Sequence, residues 1–166
     1  MSQVVVVMGV SGSGKTTIAQ RVAAQLGWVF QEGDALHPAA NVAKMAAGTP
    51  LTDADRAPWL AKVAGWIRDR LAAGENGIVT CSALKRIYRE QIGNGTPGVR
   101  IVYLHGDRAT LDAHVHGRHH EFMPSTLLDS QLATLEEPVE DEHAIRVEVG
   151  TSVDETVANV IERLAA

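Results

Sequence analysis

The chain holds a single cysteine, Cys81. No disulfide can form within it, so its stability has to come from a hydrophobic core. With 166 residues it fits one domain, and folding at this size buries roughly 70% of the surface the unfolded chain exposes. Aromatic residues are scarce, with three Trp, two Tyr and two Phe, which leaves aliphatic side chains to fill the interior. Runs of Lys or Arg are missing, and the formal net charge is −5. A nucleic-acid partner would call for a basic patch, so none is expected. Long apolar runs are missing too. Val4 to Met8 is far too short for a membrane span and lacks the basic segment of a secretory leader. No membrane partner is expected, and one unpaired thiol fits a reducing, cytoplasmic setting.

What is present alternates between two periodicities. Gln3 to Met8 is a β-branched run ended by Gly9, which reads as a buried strand. Lys15 to Leu26 carries Ile18, Val22 and Leu26 at spacing four and closes at Gly27, the pattern of an amphipathic helix with a glycine cap. Further strands are read at Trp28–Gln31, Ile78–Cys81, Val99–Leu104 and Ala144–Val149. Helices are read at Pro38–Ala47, from about Asp53, at Leu84–Ile92, Asp107–His116 and Ser125–Leu135. A last helix follows a Ser152/Glu155 capping box. Strands alternating with helices imply an α/β fold, a parallel sheet with helices on both faces.

The segment from Gly9 to Thr16 reads GVSGSGKT, which is G-x-x-x-x-G-K-[ST] placed directly after a strand and opening a helix. Gly9, Gly12 and Gly14 allow torsions that a Cβ forbids. The loop amides of Val10, Ser11, Gly12, Ser13 and Gly14 can then converge on phosphate oxygens, with Lys15, Thr16 and Thr17 at the positive end of the helix. Lys15 is expected at the β- and γ-phosphates of ATP, and Thr16 at Mg²⁺. No acid ends the third strand, Val79-Thr80-Cys81-Ser82. Asp34 is therefore the candidate second Mg²⁺ ligand, and the missing acid points to a metabolic kinase rather than a switch GTPase.

Ligands of open α/β sheets bind beyond the carboxyl ends of the strands. Two polar loops belong there, Gly33–Pro38 and Cys81–Arg86. Their residues carry a resemblance. GDALHP (Gly33 to Pro38), Asn41, Lys44-Met45, Gly48 to Leu51, Asp53, Asp55-Arg56, Pro58 to Leu60 and CSALKRIYRE (Cys81 to Glu90) resemble the gluconokinases of the P-loop kinase superfamily. Phe122-Met123-Pro124, Leu127-Leu128, Ser130-Gln131, Leu135-Glu136 and Pro138 continue the match. The resemblance implies transfer of the γ-phosphoryl of ATP to the 6-hydroxyl of D-gluconate. It also implies a five-stranded parallel sheet of order 2-3-1-4-5 and, commonly, a homodimer.

A sugar acid needs a forked cation for its carboxylate and several hydrogen-bonding groups for its hydroxyls. Arg56 is the candidate for the carboxylate, with Lys85 or Arg89 assisting. Asp34, His37, Asn41 and Ser82 are candidates for the hydroxyls, and Asp34 also for the acceptor proton. The bland readings are a turn-capping Asp34, a turn His37 and a solvated basic face on the Lys85–Arg89 helix. Trp59 reads chiefly as core.

A polar segment, approximately 114–124, is expected to form a lid. Phosphoryl transfer spreads negative charge that a lid arginine can stabilise, and Arg118 is the candidate, with Arg108 a second. The chain departs from the commoner family pattern here, with His114 where many relatives carry Arg and Glu121 where many carry His. The histidine cluster lacks the converging spacing of a metal site. The resemblance to related kinases implies that Gly150 to Ser152 lies against the adenine, and Cys81 is expected as a packed small hydrophobe. The rival readings are a kinase of shikimate or a nucleoside monophosphate, and a non-catalytic ATP-binding regulator.

Overall fold

The computed structural model describes residues 2–116, 125–149 and 152–166. Five strands, β1 (Val4–Met8), β2 (Val29–Gln31), β3 (Gly77–Thr80), β4 (Val99–His105) and β5 (Ile145–Glu148), form one sheet of order β2-β3-β1-β4-β5. Every pairing is parallel, and the order is the expected one. β1 is the central strand, and all five of its residues are fully buried. This explains its unbroken apolar sequence: a strand covered on both faces has no polar side to present.

The pleat sorts these side chains. Val4, Val6 and Met8 pack with Trp59, Leu60, Val63 and Ile67 of the helix at Asp53–Ala72 and with Tyr88 of the helix at Arg86–Gln91. Val5 and Val7 pack on the opposite face, against Ile18 and Val22 of the helix at Lys15–Leu26 and Val157 and Val160 of the helix at Val153–Ala165. In chain order the helices are α1 (Lys15–Leu26), α2 (Ala39–Ala46), α3 (Asp53–Ala72), α4 (Arg86–Gln91), α5 (Arg108–His116), α6 (Ser125–Thr134) and α7 (Val153–Ala165). Burying one such aliphatic side chain contributes about 1.5–3 kcal/mol. The two-sided sandwich is therefore the main source of stability.

Local signals set the helix ends. Gly27 closes α1 at φ 71°, its N–H donating to Ala23 O. Ser152 Oγ accepts from Glu155 N at 3.1 Å and starts α7. Thr52 and Asp55 form a reciprocal capping box at α3, a T-x-x-D pattern whose acid is one methylene shorter than the usual Glu. β3 starts at Gly77 and ends at Thr80, one residue earlier at each end than the sequence reading. The chain then turns through Ala83, at φ 48°, and α4 begins only at Arg86. No helix among the described residues is long and apolar enough to cross a membrane.

β2, β3 and β1 are neighbours and run in the same direction, so their three exit loops open on one edge of the sheet. That geometry positions the site.

Candidate active site

The loop leaving β1 is held open by its own backbone geometry. Gly9 sits at φ 154°, and a Cβ there would lie 2.8 Å from Ser13 Oγ and 2.9 Å from Leu104 O, closer than real Cβ contacts allow. Ser13 Oγ donates to Val10 O at 2.7 Å and closes the loop on itself. α1 opens at Lys15 directly after it, so the helix N-terminus supplies partial positive charge to an anion in the loop. Lys15 Nζ donates to Val10 O at 3.1 Å. Ser11 N donates to Gln131 Oε1 of α6 at 2.7 Å, which ties the helix beyond the lid segment to the phosphate loop.

The carboxylate bonded to Thr16 is Glu32, whereas Asp34, the acid expected beside the cation, lines the adjoining cleft. Thr16 Oγ1 and Thr80 Oγ1 both donate to Glu32. Gly33 N donates to Thr80 Oγ1 at 2.9 Å, tying the exits of β2 and β3 together. A hydroxyl and a carboxylate side by side at the phosphate loop are an oxygen donor set that suits a hard cation such as Mg²⁺. Sequence reasoning missed Glu32 because it looked for an acid at the end of β3. The family-like stretch also starts one residue later, at Gly33. The signal was present: an acid directly after a β2 that pairs with β3.

Asp34 lies in a short 3₁₀ turn, Gly33–Leu36, and faces a cleft of about 540 Å³, counting its open mouth. Lys15, Asp34, His37, Arg56 and Ser82 line this cleft together, with Met45, Trp59 and Leu84 as apolar wall and Thr49, Pro50, Leu51, Ser130 and Gln131 around them. His37 stacks on Trp59 with ring centroids 4.0 Å apart and planes 18° apart. Burial, with Arg56 nearby, pushes its pKa down to about 4. It is therefore neutral at physiological pH. Arg56 Nη1 donates to Tyr88 OH at 3.0 Å, and Tyr88 OH donates to Asp53.

Three of the substrate candidates stand behind or beside the cleft wall and do not line it. Arg89 is fully buried and bonds Glu142 in fork geometry, Nε to Oε1 at 2.5 Å and Nη2 to Oε2 at 3.2 Å. It cannot reach a ligand in the cleft. Its Nη1 instead donates to Ala83 O at 2.8 Å, supporting the loop that carries Ser82. Asn41 is buried and is absent from the cleft wall. Its Nδ2 donates to Asp55 O at 2.8 Å and bonds His37 Nδ1 at 3.2 Å. Lys85 stands outside the cleft wall and pairs with Asp53 at 3.1 Å. That bond holds its ammonium pKa above the usual lysine range.

Arg108 pairs with Asp129 at the surface. Cys81 is 1% exposed and burial pushes its thiol up to about 12, which suits packing and not nucleophilic chemistry. Arg118, Glu121, most of the 114–124 lid segment, Gly150 and Thr151 lie outside the described residues.

A glycine-walled phosphate loop at a helix N-terminus, a hydroxyl–carboxylate pair beside it and an adjoining polar cleft define a P-loop small-molecule kinase. A family model described as "AAA domain" matches residues 4–138. The gluconokinase of Gluconobacter oxydans (strain 621H) is 51% identical over 161 residues, 97% of this chain and 90% of the relative. Among solved structures, a sugar kinase from Janibacter sp. HTCC2649 superposes with a TM-score of 0.92 at 44% identity, covering 99% of this chain and 95% of that one. A gluconokinase from Sinorhizobium meliloti 1021 gives 0.81 at 43% identity, covering 98% and 95%. The chain belongs to the gluconokinase family.

Proposed function

We infer that the protein transfers the γ-phosphoryl group of ATP to the 6-hydroxyl of D-gluconate, giving 6-phosphogluconate and ADP. The observation that carries this reading is the single cleft in which Lys15 of the phosphate loop, Asp34 and Arg56 converge. It supports a triphosphate at one wall and a small polyhydroxy acid at the other.

The phosphate loop and the α1 N-terminus hold the triphosphate, and Lys15 stabilises charge on the transferring group. Thr16 and Glu32 would hold Mg²⁺, which when bound neutralises phosphate charge. Arg56 receives the substrate carboxylate, since a guanidinium fork matches it in geometry and charge. Tyr88 bonds one side of that fork and fixes its direction. Asp34 accepts the proton of the attacking hydroxyl, and Ser82 and His37 supply hydrogen bonds to the hydroxyl-bearing chain. Arg118 from the lid stabilises the charge that develops during transfer. The whole chain, 1–166, acts as one kinase domain, as a homodimer in the cytoplasm.

Purified protein with MgATP is tested on gluconate, shikimate and AMP, with product followed by ³¹P NMR. Phosphorylation of gluconate at its 6-position is expected. Turnover of shikimate or AMP without gluconate would overturn the acceptor, and ATP binding without acceptor-dependent consumption would overturn the enzyme.

A further inference from the structure

His37 carries two ring nitrogens, and what surrounds them decides which one holds the proton. The side-chain amide of Asn41 points its Nδ2 at Asp55 O, 2.8 Å away. That partner is a backbone carbonyl and can only accept, so the Asn41 nitrogen must face it; the flipped amide would set oxygen against oxygen. The same nitrogen lies 3.2 Å from His37 Nδ1. An amide nitrogen has two hydrogens and no accepting lone pair. One hydrogen goes to Asp55 O and the other to His37 Nδ1. Nδ1 is therefore the acceptor and the ring proton sits on Nε2. Nε2 lies on the Asp34 side, 3.9 Å from its Oδ1. The ring is pinned flat against Trp59, and Trp59 is pinned in turn by its Nε1–H donating to Gly33 O at 2.8 Å.

We propose that Asn41 fixes His37 as the Nε2–H tautomer, making the imidazole a one-way hydrogen-bond donor toward Asp34 and the acceptor hydroxyl beside it. Asn41 is then a positioning residue acting through His37, which explains a polar side chain that is buried yet absent from the cleft wall. The neutral donor has a chemical purpose. Nε2 stands 3.9 Å from Asp34 Oδ1, too far for a direct hydrogen bond, so its N–H donates to a hydroxyl placed between them and leaves the carboxylate basic, whereas an imidazolium at this distance would make Asp34 a poorer proton acceptor. Burial of the ring works in the same direction by disfavouring its charged form. The catalytic part of this inference rests on the proposed gluconate phosphorylation; the tautomer does not.

The test has two arms. In the first, long-range ¹H–¹⁵N correlation of the histidine rings is recorded at neutral pH on the wild-type protein without ligands, with His37 assigned by its loss in His37→Gln. An unprotonated Nδ1 and a protonated Nε2 are expected. A proton on Nδ1, or averaging between tautomers, overturns the proposal whatever the substrate proves to be. In Asn41→Asp, which puts an acceptor where the donor was, the proton should move to Nδ1 or the ring should become charged.

The second arm is kinetic. His37→Gln keeps an N–H donor near the Nε2 position and His37→Leu does not. A hydrogen bond of this kind changes rates by about 10-fold, so kcat should fall at least that much further in the Leu variant than in the Gln variant. Equal losses in the two variants, with both folded by circular dichroism, would overturn the donor role. Absence of gluconate turnover in the wild type would overturn the proposed function while leaving the spectroscopic arm standing.

Discussion

Trp59 donates its indole N–H to the carbonyl of Gly33 at 2.8 Å, fastening the middle of the α3 face to the residue that separates Glu32 from Asp34. A Cβ on Gly33 would lie 1.7 Å from Thr80 O, a contact that only backbone movement can relieve. Gly33→Ala should therefore destabilise the protein by about 1–3 kcal/mol or more and also displace both acids. Urea melts and turnover should fall together. A variant with normal stability and kcat would mean that the β2 exit is looser than the geometry implies.

Lys15→Ala removes a cation at the mouth of the phosphate loop, where its loss costs little packing. Turnover should drop by about 10²–10³-fold, the scale found for a lost group that stabilises developing charge. The melting temperature without ligands should hardly change. Kinetics close to wild type would contradict the role given to Lys15.

Asp34→Asn and Arg56→Ala should separate in their kinetics. The first removes a proton acceptor and should lower kcat by about 10²–10⁴-fold. The second removes a contact made equally in ground and transition states, so the KM for gluconate should rise about 10–100-fold with kcat nearly unchanged. A fall in kcat alone for Arg56→Ala would point to a part in the transfer step instead.

Arg89 and Glu142 are 0% and 3% exposed in their side chains. Burial raises the carboxyl pKa of Glu142, but the bonds from Arg89 and from Val139 N outweigh it, and the net shift is downward. Arg89→Met leaves a buried carboxylate without its partner and should cost about 3–5 kcal/mol. The double variant Arg89→Met/Glu142→Leu should recover much of that. Denaturation curves in which single and double variants are equally unstable would argue against an uncompensated charge as the cause.

The depressed pKa of His37, about 4, predicts a pH dependence of known sign. The unfolded chain binds a proton at His37 below about pH 6.5, and the folded protein does so only near the lower value. Stability contributed by the neutral ring is thus present above pH 6.5 and is lost as pH falls toward 4. Screening at the open side of the cleft reduces the effect to on the order of 1–2 kcal/mol between pH 7 and pH 5. Melts at the two pH values should show this loss in the wild type and a smaller one in His37→Gln. An equal loss in both would assign the pH dependence to other groups.

Much of this architecture was legible in the sequence, for reasons that can be named. β1 is apolar on both faces because it is central, and the phosphate loop keeps its pattern because backbone amides need those glycines. Arg89 was misread because nothing local distinguishes it from Arg86: both sit on α4, and only a partner 53 positions away makes one buried and the other exposed. Asn41 reads as a substrate contact because a polar residue near a site loop suggests one, whereas its amide bonds Asp55 O and His37 Nδ1. Glu32 gives no local signal because its bond to Thr16 bridges two elements, α1 and the β2 exit, that the sequence separates by 16 residues.

The lone thiol gives the molecule a built-in reporter. Cys81 closes the β3 exit beside Ser82, is 1% exposed and is held protonated by burial. A thiol reagent can reach it only in molecules that have opened, so the rate of alkylation reads out how often the sheet edge beneath the cleft comes apart. Nucleotide and sugar acid, by favouring the closed form through mass action, should slow that clock in proportion to their affinity.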